Sequence, residues 1–285
     1  MLERPPGADA GMEHLPQMAR TALLNVMVNA VLRAGRGLAR DFGEVENLQV
    51  SLKGPGDFVS AADHRSEEVL MAELGRARPG YGFLAEESGE TAGADRAHRW
   101  IIDPLDGTMN FLHGIPIFAI SVALERDGVV VAGVVYNPVL NELYVAEKGA
   151  GAFLNDRRLR VARRSKLHDC VIATAMPQLV RPGQEAYLAE LRAALAKVAG
   201  VRRTGSAAID LSWVASGRFD GLWQHNLQPW DIAAGVLFIR EAGGFVTDAS
   251  NGDASFTTGT VFAGNETIHR QLLTLISGAG EGRDA

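Results

Sequence analysis

Along the first part of the chain the apolar residues fall three and four apart. Leu23, Val26, Met27, Ala30, Val31 and Ala34 share one face of a 3.6-residue period. That spacing predicts an amphipathic helix ending near Gly43, preceded over residues 1–16 by a loose tail of Gly, Pro and charge without a period. The polar, glycine-containing stretch 51–57 (SLKGPGD) reads as a loop, and Glu67, Val69, Leu70 and Leu74 predict a second helix closed by Gly75. Short strands are expected at Tyr81–Ala85 and at 99–102. Beyond them the pattern becomes two near-continuous apolar runs, 115–124 and 129–136, parted by the turn signal Glu125-Arg126-Asp127-Gly128, with a third run at 142–146. This is the pattern of an antiparallel meander. The second half alternates helices, at 185–198, 206–216 and 232–242, with strands at 219–223 and 244–247, and has no internal repeat. A shift toward Arg, Asn and Lys near 155–165 marks a soft boundary between two packed halves of one domain over 17–278, leaving 279–285 as a C-terminal tail.

Composition narrows what such a chain can be. With 285 residues and 47% hydrophobic content it can bury a large core, so disorder is excluded as the main state. The formal charge of −6 and the absence of basic runs interleaved with aromatics argue against nucleic acid as the principal ligand. The longest apolar runs reach about ten residues, half of the roughly 20 that a membrane helix needs. No membrane association is expected. Glu3, Pro5, Pro6, Gly7 and Asp9 stand where a signal peptide would carry basic and then apolar residues. A single cysteine, Cys170, provides neither an internal disulfide nor a cysteine zinc site, which fits a cytoplasmic protein.

The residues that point to chemistry centre on 100–111, WIIDPLDGTMNF. An apolar strand ends there in two carboxylates, Asp103 and Asp106. Pro104 cannot extend a ladder, so a turn at the strand's end is expected to bring both aspartates and the Leu105 carbonyl toward one point. Such oxygen ligands suit Mg2+. Gly107 and Thr108 follow with backbone N–H groups where a helix begins, a geometry that receives phosphate. Taken alone, the same residues read equally well as an ordinary turn and helix cap. Three further acidic stretches occur: Glu86-Glu87 just past a strand, Asp231 before a helix in Pro229-Trp230-Asp231, and Asp63 ahead of the second helix. Each has a structural alternative, a cap or a solvated face. Together with the central segment they point to one carboxylate-rich site.

In this order the segments DFVSAAD (57–63), FLAEES (83–88), WIIDPLDGTMNF (100–111) and WDIAAG (230–235) resemble the bacterial inositol monophosphatases, members of the lithium-sensitive, magnesium-dependent sugar phosphatases, over residues 19–276. The resemblance implies an α/β layered fold, an αβαβα sandwich, with two to three Mg2+ ions per site. It assigns one ion to Glu86, Asp103 and the Leu105 carbonyl, a second to Asp103, Asp106 and Asp231, and a weaker third to Glu86. Asp63 and Thr108 match the pair that orients and deprotonates the attacking water, Gly107 and Thr108 match the phosphate cradle, and Lys53 falls on the matching mobile loop. Glu86 joins Asp63 and Thr108 as a catalytic position. Substrate contacts are implied at Asp106, Ser206, Ala207, Gln224 and Asp231. Physics supports the metal requirement independently, because converging carboxylates would repel a phosphate dianion unless divalent cations reversed the local sign.

The resemblance further implies a phosphomonoesterase acting on a small polyol or sugar phosphate, with inositol 1-phosphate leading and fructose 1,6-bisphosphate, histidinol phosphate and 3'-phosphoadenosine 5'-phosphate as alternatives. It also implies a homodimer, for which the apolar meander offers a surface. A haloacid dehalogenase phosphatase has one residue between its two motif aspartates, whereas two separate Asp103 from Asp106, which would misdirect a nucleophilic first aspartate. One departure concerns substrate. Seven residues before Asp231, where the inositol phosphatases carry a sugar-binding glutamate, this chain has Gln224. That departure motivates a reading from another class, a macromolecular binding protein with a retained or weakened site. His113 and His225 read as solvated loop residues, Trp213, Trp223 and Trp230 as buried anchors, and Cys170 as a small buried hydrophobe.

Overall fold

Leu24, Met27, Val28, Ala30, Val31, Ala34 and Leu38 form the buried stripe of a 21-residue helix, α1 (Ala22–Phe42), capped by the Thr21 hydroxyl, which accepts from the Leu24 N–H. The computed structural model describes residues 20–44, 50–54, 57–176, 183–253 and 255–281, so the tail read at 1–16 lies outside the described residues. The stretch read as a loop at 51–57 contributes instead to an antiparallel hairpin of β1 (Val50–Gly54) and β2 (Asp57–Ser60). Its strands are too short and polar to show a period of two. Helix α2 (Ala61–Ala77) follows directly, starting six residues before its first recognised position, Glu67, because Ser60 and Asp63 close a capping box.

A mixed eight-stranded sheet comes next, built from β3 (Tyr81–Ala85), β4 (Gly89–Thr91), β5 (Asp95–Asp106), then, after the one-turn helix α3 (Thr108–Leu112), β6 (Ala119–Arg126), β7 (Val129–Asn137), β8 (Glu142–Glu147), β9 (Gly151–Leu154) and β10 (Arg157–Arg158). Its order is β10-β9-β8-β7-β6-β5-β3-β4, antiparallel except for the parallel pair β3–β5. The meander is therefore present, and alternation along it decides what covers each face. Trp100, Ile102, Ile120, Val122, Leu124 and Val134 pack under α1 and α2, while Ile101, Ala119, Ala123, Val135 and Tyr144 face the other way. Both faces of the meander are thus covered, and the surface expected for a partner is reduced to its ends, where Ile115, Val139 and Leu140 are exposed.

The second half supplies β11 (Val171–Thr174), α4 (Gln184–Leu195), β12 (Gly200–Arg202), α5 (Ala207–Ala215), β13 (Gly221–Gln224), α6 (Pro229–Glu241), β14 (Phe245–Thr247), α7 (Ser255–Thr258), β15 (Val261–Gly264) and α8 (Glu266–Glu281). A five-stranded sheet in the order β12-β11-β13-β15-β14 forms here. Helices α5 and α6 share one core with the large sheet and with Leu222, Val261 and Ala263 of the small one, whose far side packs Ile172, Trp223 and Phe262 against α4 and α8. The layers are helix, sheet, helix, sheet, helix: the expected αβαβα sandwich. Residues 159–170 connect the two sheets, and α8 extends through 279–281, three residues into the stretch read as a tail. Among the described residues no helix is long and apolar enough to cross a membrane.

The middle helices must be slim, because both are pressed between sheets. Helix α6 buries Ile232 through Ile239 on all sides. A Cβ at Gly235 would meet the Leu211 Cβ at 2.5 Å, and one at Gly133 would meet the Ala234 Cα at 3.0 Å. Gly235→Val is expected to lower stability by about 1–3 kcal/mol through overpacking. Gly37→Ala, on α1 with open space around it, should raise it by roughly 0.5–1 kcal/mol. Denaturant midpoints of the two variants check both signs.

Candidate active site

Strand β5 carries the site, and its last residues depart from a regular ladder. Asp103 pairs with Ser121 of β6 and Asp106 with Ala119, so three steps on β5 oppose two on β6. The chain does not turn away at Pro104 as the sequence suggested; it bulges and keeps its pairing to Asp106. A bulge accommodates the proline, which has no N–H to give, and re-aims the side chains around it. The Leu105 N–H then donates to Asp103 Oδ1 at 3.0 Å, and the Ser66 hydroxyl holds the Pro104 carbonyl at 2.8 Å.

Four elements converge here. Asp103, Asp106 and Asp231 each bring an oxygen to within 4.8 Å of the others. Asp106 reaches the start of α5, where Oδ2 accepts from the Ser206 hydroxyl at 2.5 Å and the Ala208 N–H at 2.7 Å. Ser206 and Ala207 line the same cavity, but the Ser206 hydroxyl and the Ala207 N–H are directed at Asp106. Asp231, the third residue of α6, both accepts from the Gln228 N–H at 2.7 Å and faces the cluster. The cap reading and the site reading of this residue hold together. Glu86 stands at the end of β3, its N–H bonded to the Ile102 carbonyl, and lines the cavity.

Beside this cluster Asp63, the third residue of α2, is buried at 1% exposure. It accepts from the Ser60 N–H (2.9 Å), the Ser60 hydroxyl (2.6 Å) and, on Oδ1, the Thr108 hydroxyl (3.1 Å). The Thr108 hydroxyl lies equally near the Leu105 carbonyl, 3.1 Å away, and with one proton it serves one acceptor at a time. Gly107 precedes it at φ 95°, and a Cβ there would approach the Ile117 carbonyl at 3.1 Å, so the turn requires glycine. Lys53 lies on β1, one residue before the strand ends; its side chain is outside the described residues.

Two buried carboxylates were missed by sequence reasoning. Glu67 accepts from the Glu87 and Ser88 N–H groups, 2.9 Å each, and so fixes the turn that holds Glu86. Asp210 accepts from the Thr204 hydroxyl and from the Gln224 amide, 2.7 Å each. No short-range pattern announces either contact, because the partners lie 14 or more residues away except for Thr204. The nearest signal was the Ser60-to-Asp63 capping box. His225 is not solvated as expected: half-buried, it lies 3.1 Å from Glu190 and lines the cavity. His113 is exposed and bonds the Met109 carbonyl of its own turn. Trp223 is buried, Trp213 and Trp230 pack on the middle layer, and Cys170 is buried, its thiol pushed up to about 12 by burial and by Asp220.

These groups enclose a cavity of about 280 Å³. Its electrostatics are those of crowded acids. Burial, then the charges of Glu86, Asp106 and Asp231, raises Asp103 well above the usual carboxylate range; burial and Asp106 do the same to Asp231, and burial raises Asp106 to about 6. Asp63 is raised by burial against the pull of its hydrogen bonds. Among the described residues no Lys or Arg forms an ion pair with Asp103, Asp106 or Asp231. An all-oxygen donor set, crowded and without an ion-paired cation among the described residues, fits hard divalent metal ions.

A layered sandwich with such a cluster at the seam between sheet and middle helices defines a class, the metal-dependent phosphoric monoester hydrolases. Within it, the chain belongs to the inositol monophosphatase family, whose sequence model matches residues 19–281. It is 62% identical over 259 residues to an inositol-1-monophosphatase of Mesorhizobium japonicum, covering 91% of this chain and 97% of the relative. It is 46% identical over 254 residues to a putative Nus factor SuhB of Neisseria meningitidis, covering 89% and 97%. The crystal structure of the extragenic suppressor protein suhB from Bartonella henselae superposes with a TM-score of 0.89 at 57% identity, covering 92% of this chain and all of that one.

The raised carboxyl groups make a signed prediction about the metal-free protein. Asp106 titrates near 3.8 when unfolded and at about 6 when folded, so between those values the native state holds protons that the unfolded chain has released. The stability from this source is full below the unfolded value and is lost as pH rises through the folded one. Chelator-treated protein should therefore melt several degrees lower at about pH 7.5 than at about pH 5. Asp106→Asn should shrink that drop, and scanning calorimetry at both pH values reads it directly.

Proposed function

We propose that this chain hydrolyses the phosphate monoester of a small polyol, inositol 1-phosphate first, using Mg2+ and direct attack by water. The observation that carries the reading is the juxtaposition of the Asp103, Asp106 and Asp231 cluster with the Thr108–Asp63 pair in one cavity. Glu86, Asp103 and the Leu105 carbonyl would hold one ion, Asp103, Asp106 and Asp231 a second, and Glu86 part of a third. When bound, such ions supply positive charge to offset the phosphate dianion and Lewis acidity at its oxygens. Thr108 and Asp63 orient the attacking water: the hydroxyl lies 3.1 Å from Asp63 Oδ1, and burial makes that carboxyl a better proton acceptor than an exposed aspartate. The Gly107 and Thr108 N–H groups would receive phosphate oxygens. Ser206, Ala207 and Gln224 border the space left for the polyol, and Lys53 is assigned to the β1–β2 hairpin.

The Nus factor name of some relatives favours a second reading, a binding protein with a weakened phosphatase site. Phosphate release across inositol 1-phosphate, fructose 1,6-bisphosphate, histidinol phosphate and 3'-phosphoadenosine 5'-phosphate, with and without Mg2+, separates the two. Turnover of the inositol ester supports the enzyme reading, and turnover of none supports the other. Asp106→Asn should reduce turnover by at least about a hundredfold, since it removes a ligand's charge with almost no change in shape. A homodimer is proposed from exposed Ile115, Val139 and Leu140, and light scattering should give about twice the 30.5 kDa chain mass. The single buried free thiol, Cys170, fits a reducing cytoplasm.

A further inference from the structure

The rows of β5, β6 and β8 that face α1 and α2 run on past the ends of those helices, and there they stop being apolar. Trp100, Leu124 and Val145 pack under the two helices. Two residues farther toward this end of the sheet, on the same face of each strand, stand His98, Arg126 and Glu147. His98 and Arg126 are direct cross-strand partners. Because α1 begins only at Ala22 and α2 has ended by Ala77, a hollow of about 270 Å³ is left over these rows, its apolar wall made by Leu23, Leu124 and Val131. Three cations line it, Arg78, Arg126 and Lys148, and none of them forms an ion pair among the described residues. The acid on the wall, Glu147, is held by the Thr21 hydroxyl at 2.8 Å. His98 lies flat on Tyr81, ring centroids 4.4 Å apart, and its Nδ1 is 2.9 Å from Asp95 Oδ2, so the ring is fixed in place. In a chain of net charge −6 this hollow therefore carries a local excess of positive charge.

We propose that this hollow is a second binding site, for a small organic phosphate whose anionic head sits among Arg78, Arg126 and Lys148 and whose uncharged body lies against Leu23, Leu124 and Val131. It is separate from the carboxylate-rich cavity: the two share no lining residue, and they lie at opposite ends of β5. The proposal does not depend on which ester the first cavity takes, or on whether it turns one over. A single exposed cation attracts an anion weakly in water. Several around one concave, partly apolar hollow reinforce one another, and guanidinium groups match the oxygens of a phosphate head with paired donors. The wall supplies what a bare inorganic ion would not use, an apolar surface that gains by being covered.

Phenylphosphonate is the probe, because it joins an aromatic body to a phosphate-like head and has no ester bond to hydrolyse. It is titrated by phosphorus NMR into the chelator-treated full chain at low salt, where the crowded carboxylates of the first cavity have no metal with which to attract it. Wild-type protein should bind it with a millimolar or tighter Kd. Arg126→Ala combined with Lys148→Ala, two exposed positions, should weaken binding about tenfold or more without lowering the melting temperature. If the double variant melts early, Lys148→Glu alone takes its place and should show the same direction. Arg203→Ala, which removes the single Lys or Arg lining the first cavity, should leave binding unchanged. Methylphosphonate, with the same head and no ring, should bind several-fold more weakly. No binding by the wild type up to about 10 mM, a range that covers even weak millimolar complexes, would overturn the proposal. So would unchanged binding in the folded Arg126 and Lys148 variants, or a loss in Arg203→Ala that places the anion in the first cavity. Equal affinity for the two phosphonates would overturn the assignment of an organic body to the apolar wall.

Discussion

Several carboxylates are pushed into one cavity, and much of the surrounding structure is arranged to hold them there against their repulsion. Each acid is secured by donors that do not neutralise it. Asp106 takes a hydroxyl and backbone N–H groups at the start of α5, Asp231 takes the Gln228 N–H at the start of α6, and Asp63 takes three donors at the start of α2. Helix N-termini suit this task, because their free N–H groups and partial positive charge stabilise carboxylates without adding a side-chain cation that would compete with a metal. The site is thus oriented before any ion arrives, while its raised acid groups show that the protein alone leaves the charge uncompensated.

Bringing those helix ends to the tip of β5 is what the layered fold accomplishes. Helices α5 and α6 fit between two sheets because small residues let backbones approach, as at Gly235 against Leu211 and Gly133 against Ala234. The same compactness fixes the seam. Asn110, just after β5, donates to the Ile117 carbonyl at 2.6 Å and to the Thr204 carbonyl at 2.8 Å, tying the first half to the loop that precedes Ser206. Gly205 keeps φ at 88° where a side chain would collide with that asparagine, so the loop can come close enough for Ser206 to reach Asp106.

Elements with a strong local signal were legible in the sequence. The 3.6-residue stripe of α1 and the apolar runs of β6, β7 and β8 depend on burial patterns contained within themselves. Strands such as β1, β2, β9 and β12 are three to five residues long, too short to carry a period of their own, and pairing with a neighbouring strand defines them more than their own composition does. The site divides along the same line. Asp103 and Asp106 stood out because carboxylates ending an apolar strand conflict with burial, and Asp63 and Asp231 were visible as acids at helix starts. Glu67 and Asp210 were not, since a buried acid on a helix gives no sign of the backbone N–H or amide that it will meet 14 to 21 residues away. His225 was misjudged for a related reason, because its partner Glu190 lies 35 residues distant.

The central claim is that Asp103, Asp106 and Asp231, with Glu86 and the Leu105 carbonyl, form a divalent-metal site. Crystals of the protein grown with Mn2+, a hard ion that accepts the same oxygen ligands as Mg2+, would test it through anomalous scattering from the metal. The account predicts at least two peaks at this cluster, with Asp103 touching both and Asp106 and Asp231 sharing one. Strong peaks elsewhere and none within coordination distance of Asp103 would contradict it.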